Sequence, residues 1–300
     1  MSRILVSGLV NMETTVRVRQ FPIHYYPIDY PFFGVNSAPS GVAYNIALAF
    51  KTLADEVRLC SMTGSDFASD YIRHELCASG ISTDNIKYNL LETPSSVVLY
   101  EESGRRQVYC DLKDIQETSY GFSEELLDDV DIVVACNINF NRELLALAKE
   151  KGKLIATDVH VLSNIRDDYN RDFLNTADIL FLSDEGIGDD YQGFLWELAC
   201  HYPAQIIVLG RGGKGAAVYL RSENRILELG AVQIGPVVNT VGAGDALFSS
   251  FLHYYARGFH PVDALKCAQV FASAKIRVSG ASKGFVNEEE MDALCARYLL

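Results

Sequence analysis

A run of small residues ending in one carboxylate, 239–245, carries the clearest chemical signal in the sequence. It consists of Asn-Thr-Val-Gly-Ala-Gly-Asp, and the apolar residues after it recur at helical spacing, which places the run at the start of a helix. The first amides of a helix lack helical partners and lie at the positive end of its dipole, so they stabilise a phosphoryl group. Gly242, Ala243 and Gly244 leave the approach unobstructed. Asp245 is placed to take a proton from a hydroxyl that meets the phosphate, although a glycine-rich turn can also be purely structural.

A second glycine cluster, 210–215, follows a predicted strand and matches the pattern G-x-G-x-x-G. A dinucleotide site needs a helix directly after these glycines, whereas the apolar segment 216–220 is another strand candidate, which argues against such a site. Two interpretations stay open: a tight turn between strands, or a loop that passes close to a nucleotide phosphate.

A third cluster, 40–45, stands at the start of a segment with helical spacing, 42–53. Ser40 is a good N-cap residue for that helix. Asn45 lies in the first turn among apolar neighbours, where its amide can bind a pair of sugar hydroxyls. A hydrogen-bonded core asparagine explains the same residue equally well.

Short apolar strands alternate with amphipathic helices after position 123. The segments are 132–135, 142–151, 154–157, 171–176, 179–182, 193–201 and 206–209. This alternation is typical of parallel βαβ units, and strands that are apolar at every position need helices on both sheet faces. The pattern predicts a three-layer α/β/α sandwich with a mostly parallel central sheet, followed by a hairpin at 216–229, the 239–245 turn and two long helices.

The N-terminal third adds strands of another kind. Positions 14–20 alternate polar with apolar, while 21–40 holds four prolines and is expected to be irregular. Residues 85–109 form alternating strands broken at Thr93-Pro94 and at Ser103-Gly104, and we expect them to stand apart from the main sheet. The chain is thus predicted to be a single domain, 1–300, with a small β-strand lid from about 13–36 and 86–112.

Composition excludes some partners. The net charge is −13 and the pI about 4.9, which argues against binding of nucleic acid or an anionic membrane through the overall field. The apolar run 4–10 is too short to span a membrane and lacks a signal-peptide pattern. Seven scattered cysteines without a C-x-x-C pair indicate neither a disulfide framework nor a zinc site, so we expect reduced thiols in the cytoplasm.

The three clusters, in this order, resemble the motifs of the ribokinase-like family of carbohydrate kinases, also called the phosphofructokinase-B type. The run 239–245 resembles D-T-x-G-A-G-D, Gly212 and Gly215 resemble the loop L-G-x-x-G, and 40–45 resembles G-G-x-x-x-N; Gly64-Ser65-Asp66 is also similar to a G-x-D strand end.

The resemblance implies a role for each matching residue. Asp245 would be the catalytic base, with Gly242, Ala243 and Gly244 as the anion hole. ATP would contact Gly212, Gly215, Thr240, Gly242 and Gly244. The acceptor would be held by Asn11, Gly41, Asn45 and Asp245. Mg²⁺ would bridge the ATP phosphates, with Glu185 acting on it through water.

The chain departs from the family pattern in several places. Asn11 stands where the family has an aspartate that grips sugar hydroxyls, with Glu13 two residues on, which leaves the choice of substrate open. Two milder changes are Asn239, which replaces the leading aspartate of D-T-x-G-A-G-D, and Ser40, which replaces the first glycine of G-G-x-x-x-N. The N-x-x-E motif tied to magnesium is Leu-Ser-Asp-Glu here, so only Glu185 is retained. A monovalent cation such as K⁺, held by carbonyls near 239, 241 and 280, is a further expectation from the family.

These observations predict an ATP-dependent kinase that phosphorylates a hydroxyl, expected to be a hydroxymethyl group, of a small sugar or sugar derivative. One alternative is a nucleoside kinase of the same fold, with an aromatic stretch as a base-stacking wall; packing in the lid or a dimer is the other interpretation of that stretch. Its members are Tyr25, Tyr26, Tyr30, Phe32 and Phe33. Another alternative is a catalytically silent sensor of sugars or nucleotides. Lid strands with alternating faces also predict a homodimer.

Overall fold

A nine-stranded sheet forms the centre of the computed structural model, which describes residues 2–102 and 105–299. In spatial order the sheet runs β13-β12-β11-β10-β9-β8-β1-β4-β5. Its strands are β1 (Arg3–Ser7), β4 (Glu56–Thr63), β5 (Ile86–Tyr88), β8 (Ile132–Ala135), β9 (Leu154–Val161), β10 (Ile179–Ser183), β11 (Ile206–Gly210), β12 (Ala216–Leu220) and β13 (Arg225–Leu229).

Every pairing from β11 across to β5 is parallel, and the β12 and β13 hairpin adds two antiparallel strands at one edge. The four residues of β8 and the first four of β11 are buried, as expected for strands covered on both faces. The predicted parallel sheet is confirmed.

Helices cover both faces of this sheet. They are α1 (Val42–Thr52), α2 (Phe67–Ala78), α3 (Asn141–Glu150), α4 (Arg171–Thr176), α5 (Tyr191–His201), α6 (Ala243–Ala256), α7 (Pro261–Lys275) and α8 (Glu288–Tyr298). Successive strand residues point to opposite faces, so Ile4 joins a core with Phe50 of α1 and Phe248 of α6, while Leu5 joins a second core with Phe173 of α4. The three-layer sandwich is therefore confirmed.

A separate sheet of four strands, β3-β2-β6-β7, stands beside the sandwich. We call it the small sheet; its strands are β2 (Asn11–Arg17), β3 (Val35–Ser40), β6 (Ser95–Tyr100) and β7 (Arg106–Asp111). Its existence confirms that some strands lie apart from the main sheet.

Several local predictions were wrong. The end of the segment 21–40 is strand β3, because its backbone pairs with β2 and Pro39 tolerates a position at the sheet edge. Residues 86–88 belong to the main sheet, where β5 pairs with β4. Three helices rather than two follow the 239–245 turn. The predicted break at Ser103-Gly104 lies outside the described residues.

None of the helices in the described part of the chain combines the length and the apolar character that a membrane crossing requires.

Candidate active site

The carboxyl ends of the parallel strands collect polar residues at one edge of the main sheet. Asn11 follows β1, Asp158 lies near the end of β9, Glu185 follows β10 and Gly212 follows β11. Ligands of open α/β sheets bind outside this edge because loops and helix N-termini converge there. Segments that are distant in sequence therefore meet in one place.

Asp245 stands at the centre of this place. It is the third residue of α6, is only 9% exposed and accepts a 2.7 Å hydrogen bond from Nδ2 of Asn45 in the first turn of α1. Two hundred residues of sequence separate the partners, and packing of α1 against α6 brings them together. The structure thus joins the first and third sequence clusters.

Two buried amide oxygens of this region have no hydrogen-bond partner among the described residues: Oδ1 of Asn11 and Oδ1 of Asn45. The nitrogen of Asn45 donates to Asp245 and that of Asn11 donates to Oγ of Ser96 at 2.9 Å. Since only the nitrogen of an amide can donate to a carboxylate, the orientation of Asn45 is fixed. Its oxygen is suited to accept a hydrogen from a hydroxyl.

Burial raises the pKa of Asp245 to about 6. The hydrogen bond from Asn45 and the nearby His160 oppose this shift, Asp158 adds to it, and Lys275 opposes it. The carboxylate is thus ionised at neutral pH, yet it holds a proton more strongly than an exposed aspartate does. A pKa near the working pH is what a general base needs.

The turn before α6 is open on one side and packed on the other. Gly242 is the N-cap residue, with φ of 78°, and a Cβ there would lie 2.4 Å from the carbonyl oxygen of Ala281. A Cβ on Gly244 would meet no atom within 4 Å. Gly244 therefore faces free space, where a phosphate can approach the helix end. Of the other residues expected here, Thr240 is exposed, and the amide of Ala243 donates to its carbonyl at 3.2 Å.

The second glycine cluster lies beside this turn, because a Cβ at Gly210 would lie 3.8 Å from Leu247 of α6. Gly212 has φ of 51° and free space around its Cβ position. Gly215 has φ of 98°, and a Cβ there would lie 2.0 Å from the carbonyl oxygen of Leu229. The chain thus needs Gly215 for its own packing, while Gly212 faces an open approach.

The third cluster is held by the small sheet. Asn11 pairs with Ser40 in the ladder between β2 and β3, so Ser40 is extended and its hydroxyl donates to Glu13. The prediction of Ser40 as N-cap is therefore wrong. Gly41 takes that position, with φ of 106°, and a Cβ there would lie 2.5 Å from the carbonyl oxygen of Leu9.

Glu185 lies in the exposed turn after β10, where its amide donates to Oγ of Ser183. The described residues contain no group of three His, Cys, Asp or Glu side chains that could enclose a metal ion. Magnesium prefers oxygen ligands and keeps several waters. One carboxylate and one hydroxyl therefore fit an ion held mainly by ATP phosphates.

Two of the carbonyl oxygens expected to bind a monovalent cation accept hydrogen bonds from a lysine instead. Those of Val241 and Gly280 both accept hydrogen bonds from Nζ of Lys275. The side chain of Asn239 accepts from the amide of Val241 at 2.7 Å. These residues therefore do not fit a metal cation while Lys275 is charged.

Four residues of this region were missed by sequence reasoning: Glu13 as a partner of Ser40, Asp158, His160 and Lys275. The signal for Asp158 and His160 was their position directly after the apolar residues 154–157, in the last half of β9 and towards the carboxyl edge of the sheet. The amide of His160 donates to Asp158 at 2.8 Å, and both side chains act on Asp245. No local pattern marks Lys275, because it lies in a helix with ordinary spacing.

Comparison with known proteins places these observations in a family. The chain is 25% identical over 264 residues to the fructosamine kinase FrlD of Bacillus subtilis (strain 168), covering 86% of this chain and 89% of that protein. The solved structure of the microbiome-derived acarbose kinase Mak1 is 25% identical, with a TM-score of 0.87 and 99% of each chain covered. A nucleoside kinase of Burkholderia thailandensis in complex with inosine has a TM-score of 0.82 at 18% identity, with 99% of each chain covered, which shows the fold alone.

The family model described as "pfkB family carbohydrate kinase" matches residues 1–288. This match covers nearly the whole chain, including the turn at Asp245 and the helix of Asn45. The chain therefore belongs to the pfkB family of carbohydrate kinases, and it is a phosphotransferase that acts on sugars.

Proposed function

We propose that the protein transfers the γ-phosphoryl group of ATP to a hydroxymethyl group of a small sugar or sugar derivative. The observation that carries this proposal is the buried Asp245 in the first turn of α6, hydrogen-bonded to Asn45. The carboxylate takes the proton of the acceptor hydroxyl while its oxygen attacks the γ-phosphorus. The bond to the bridging oxygen of ADP breaks, and the products are a sugar phosphate and ADP.

The donor side of this site is made of glycines. ATP would lie along Gly212 and Gly215 and reach the α6 turn at Thr240, Gly242 and Gly244, because open space is found at Gly212 and Gly244. The helix dipole and the first amides of α6 would stabilise charge on the transferring group. Mg²⁺ bound to the phosphates would neutralise part of their charge, with Glu185 as a contact through water.

The acceptor side is made of polar groups from the small sheet and from α1. The unpartnered oxygens of Asn11 and Asn45 would accept hydrogens from two sugar hydroxyls, and Gly41 lets the backbone approach closely. A buried acceptor oxygen without a partner costs about 1–3 kcal/mol, so binding of a polyhydroxylated ligand would recover this cost. The small sheet would then act as a lid within one domain, 1–300.

We also propose a homodimer in a reducing compartment, the cytoplasm. In the small sheet the two edge strands carry most of the exposed residues: the first three residues of β3 and all residues of β7 are exposed. The seven cysteines are free thiols, which is typical of proteins kept in reducing surroundings.

The test of the base is Asp245→Asn. This change keeps the size of the side chain and an acceptor for Asn45, so ligands should bind almost as before. Turnover should fall by about 10²–10⁴-fold, the contribution typical of a general base, when ADP release is measured. Near-normal turnover would show that Asp245 is not the base.

The acceptor is tested by a thermal-shift panel with a non-hydrolysable ATP analogue and magnesium. Its members would include a fructosamine, acarbose, ribose and inosine, followed by turnover assays of each stabilising compound. Stabilisation by nucleosides alone would favour the nucleoside kinase. Binding of a sugar without turnover in the wild type would favour a sensor and contradict the proposal.

A further inference from the structure

Lys275, the last residue of α7, carries a fully buried charged side chain. Its Nζ donates to the carbonyl oxygens of Val241 and Gly280, the latter at 2.8 Å. Burial of an ammonium group is costly unless hydrogen bonds or charges compensate it. The two carbonyl oxygens around Nζ of Lys275 therefore stabilise a positive charge at this position.

The two carbonyl groups belong to the two walls of the α6 turn. Val241 directly precedes Gly242, the N-cap residue of α6. Gly280 directly precedes Ala281, whose carbonyl oxygen lies 2.4 Å from the Cβ position of Gly242. Lys275 thus connects both walls and fixes the backbone that leads into the first turn of α6.

The charges around Lys275 come from three elements. Asp245 of α6 and Glu13 of β2 favour its charged form, Arg106 of β7 disfavours it, and burial is the largest effect, which together lower its pKa to about 8. At neutral pH the group is mostly an ammonium ion. A fixed positive charge therefore lies beside the turn that is proposed to receive the ATP phosphates.

Backbone carbonyl oxygens are also the ligands that replace water around monovalent metal ions. Here the oxygens of Val241 and Gly280 are directed at Nζ of Lys275. A metal ion that shared these oxygens would stand next to a like charge in a poorly solvated place, where repulsion is strong. The ammonium ion and the metal ion exclude one another.

We propose that Lys275 is a built-in cation that positions the phosphate turn, so that this kinase works without a monovalent metal ion. Lys275 is a positioning residue, because it acts through Val241 and Gly280. The inference rests on the proposed function only in assigning the ATP phosphates to the turn 239–245. Its test measures the thermal unfolding midpoint and the affinity for ATP, and it needs neither an acceptor nor turnover.

The first experiment compares the thermal unfolding midpoint of the wild-type protein in KCl, NH₄Cl and choline chloride at equal ionic strength. Equal midpoints in all three salts are expected, with equal affinity for ATP and magnesium. A higher midpoint or tighter ATP binding in KCl than in choline chloride would overturn the proposal. This experiment needs no variant.

The second experiment uses Lys275→Ala, which removes the ammonium and frees the two carbonyl oxygens. In choline chloride, the dissociation constant for ATP with magnesium should rise about 10–100-fold, the loss typical when groups that orient a site are removed. KCl or NH₄Cl should restore both this constant and the midpoint. A merely structural side chain would give no cation-specific rescue, so its absence in the folded variant would contradict the proposal.

The matched control is Lys266→Ala on the same helix. Lys266 pairs with Asp263 at 2.9 Å and is 43% exposed, so it should show no cation-specific change. A rescue by KCl of the same size in this variant would overturn the assignment to Lys275. If Lys275→Ala does not fold, the wild-type comparison decides alone.

Discussion

Asp245 and Lys275 are buried groups of opposite charge whose pKa values approach one another. Burial raises that of Asp245 to about 6 and lowers that of Lys275 to about 8. Below its pKa, Asp245 is protonated and cannot act as the proposed base, and above its own pKa Lys275 loses its charge. We predict a bell-shaped pH profile of kcat with a plateau between about 6 and 8. Unchanged turnover down to pH 5 would contradict the acidic limb.

Stability should respond to the titration of Lys275 in the opposite sense from turnover. In the unfolded chain its pKa is near 10.5, so between about 8 and 10.5 the unfolded state binds more protons. The contribution of Lys275 to the free energy of unfolding therefore increases, and the folded state becomes more stable, as pH rises through this range. Chemical denaturation of the wild type and of Lys275→Met at pH 8 and pH 10 separates this contribution from other groups. An equal pH response of both proteins would contradict it.

Asn45 contacts both the base and, in the proposal, the acceptor. Its hydrogen bond lowers the pKa of Asp245, so Asn45→Ala should move the acidic limb of the pH profile to higher pH. The same change should raise KM for the acceptor much more than KM for ATP. Initial-rate kinetics over pH 5–9 measure both effects. Equal increases of the two KM values would place Asn45 in the core instead.

At the scale of elements, the N-terminus of α6 combines two glycines with opposite requirements. Gly242 has a left-handed backbone and no room for a Cβ, while Gly244 lies in the helix with open space in front. Gly242→Ala should therefore destabilise the fold by about 1–3 kcal/mol or more. Gly244→Ala should keep or gain stability, by up to about 1 kcal/mol, but weaken ATP binding because the methyl group occupies the phosphate approach.

Denaturant unfolding and ATP titrations of both alanine variants test this contrast. Tight ATP binding by Gly244→Ala would show that no phosphate passes in front of this residue. Full stability of Gly242→Ala would show that the turn is more adaptable than its contacts with Ala281 indicate.

The main sheet could be predicted from sequence because its strands are apolar at every position, and such strands fit only between helices. The α6 turn could be predicted because its signal is local. Strand β3 could not be predicted, since its pairing with β2 overrides a composition rich in proline. The role of Lys275 could not be predicted either, because it depends on contacts with Val241 and Gly280 and no local pattern marks it.

At the scale of the whole molecule, the proposed acceptor side of the site spans both sheets. Asn11 begins β2 in the small sheet, pairs with Ser40 and donates to Ser96, while Asp245 belongs to the sandwich. Helix α1 follows β3 after Gly41, and Asn45 in its first turn donates a hydrogen bond to Asp245. A shift of the small sheet would therefore change the distance between Asn11 and the base, which is how a lid would open and close the site.

The small sheet also leaves apolar side chains exposed, and this predicts self-association. Val108 on β7 is 54% exposed, and Phe33 before β3 is fully exposed. An unpaired edge strand with apolar residues favours pairing with a second copy of the chain. We expect a dimer of the wild type in analytical ultracentrifugation.

Val108→Arg should shift this equilibrium towards the monomer, because a charge would be buried in the interface. Leu91 is a matched control, since it is apolar and 86% exposed but lies outside the small sheet. Leu91→Arg should leave the association constant unchanged. A monomeric wild type at micromolar concentration, or equal weakening by both variants, would show that the exposed residues of the small sheet do not form the interface. A lid would then have to close over the acceptor without help from a second subunit.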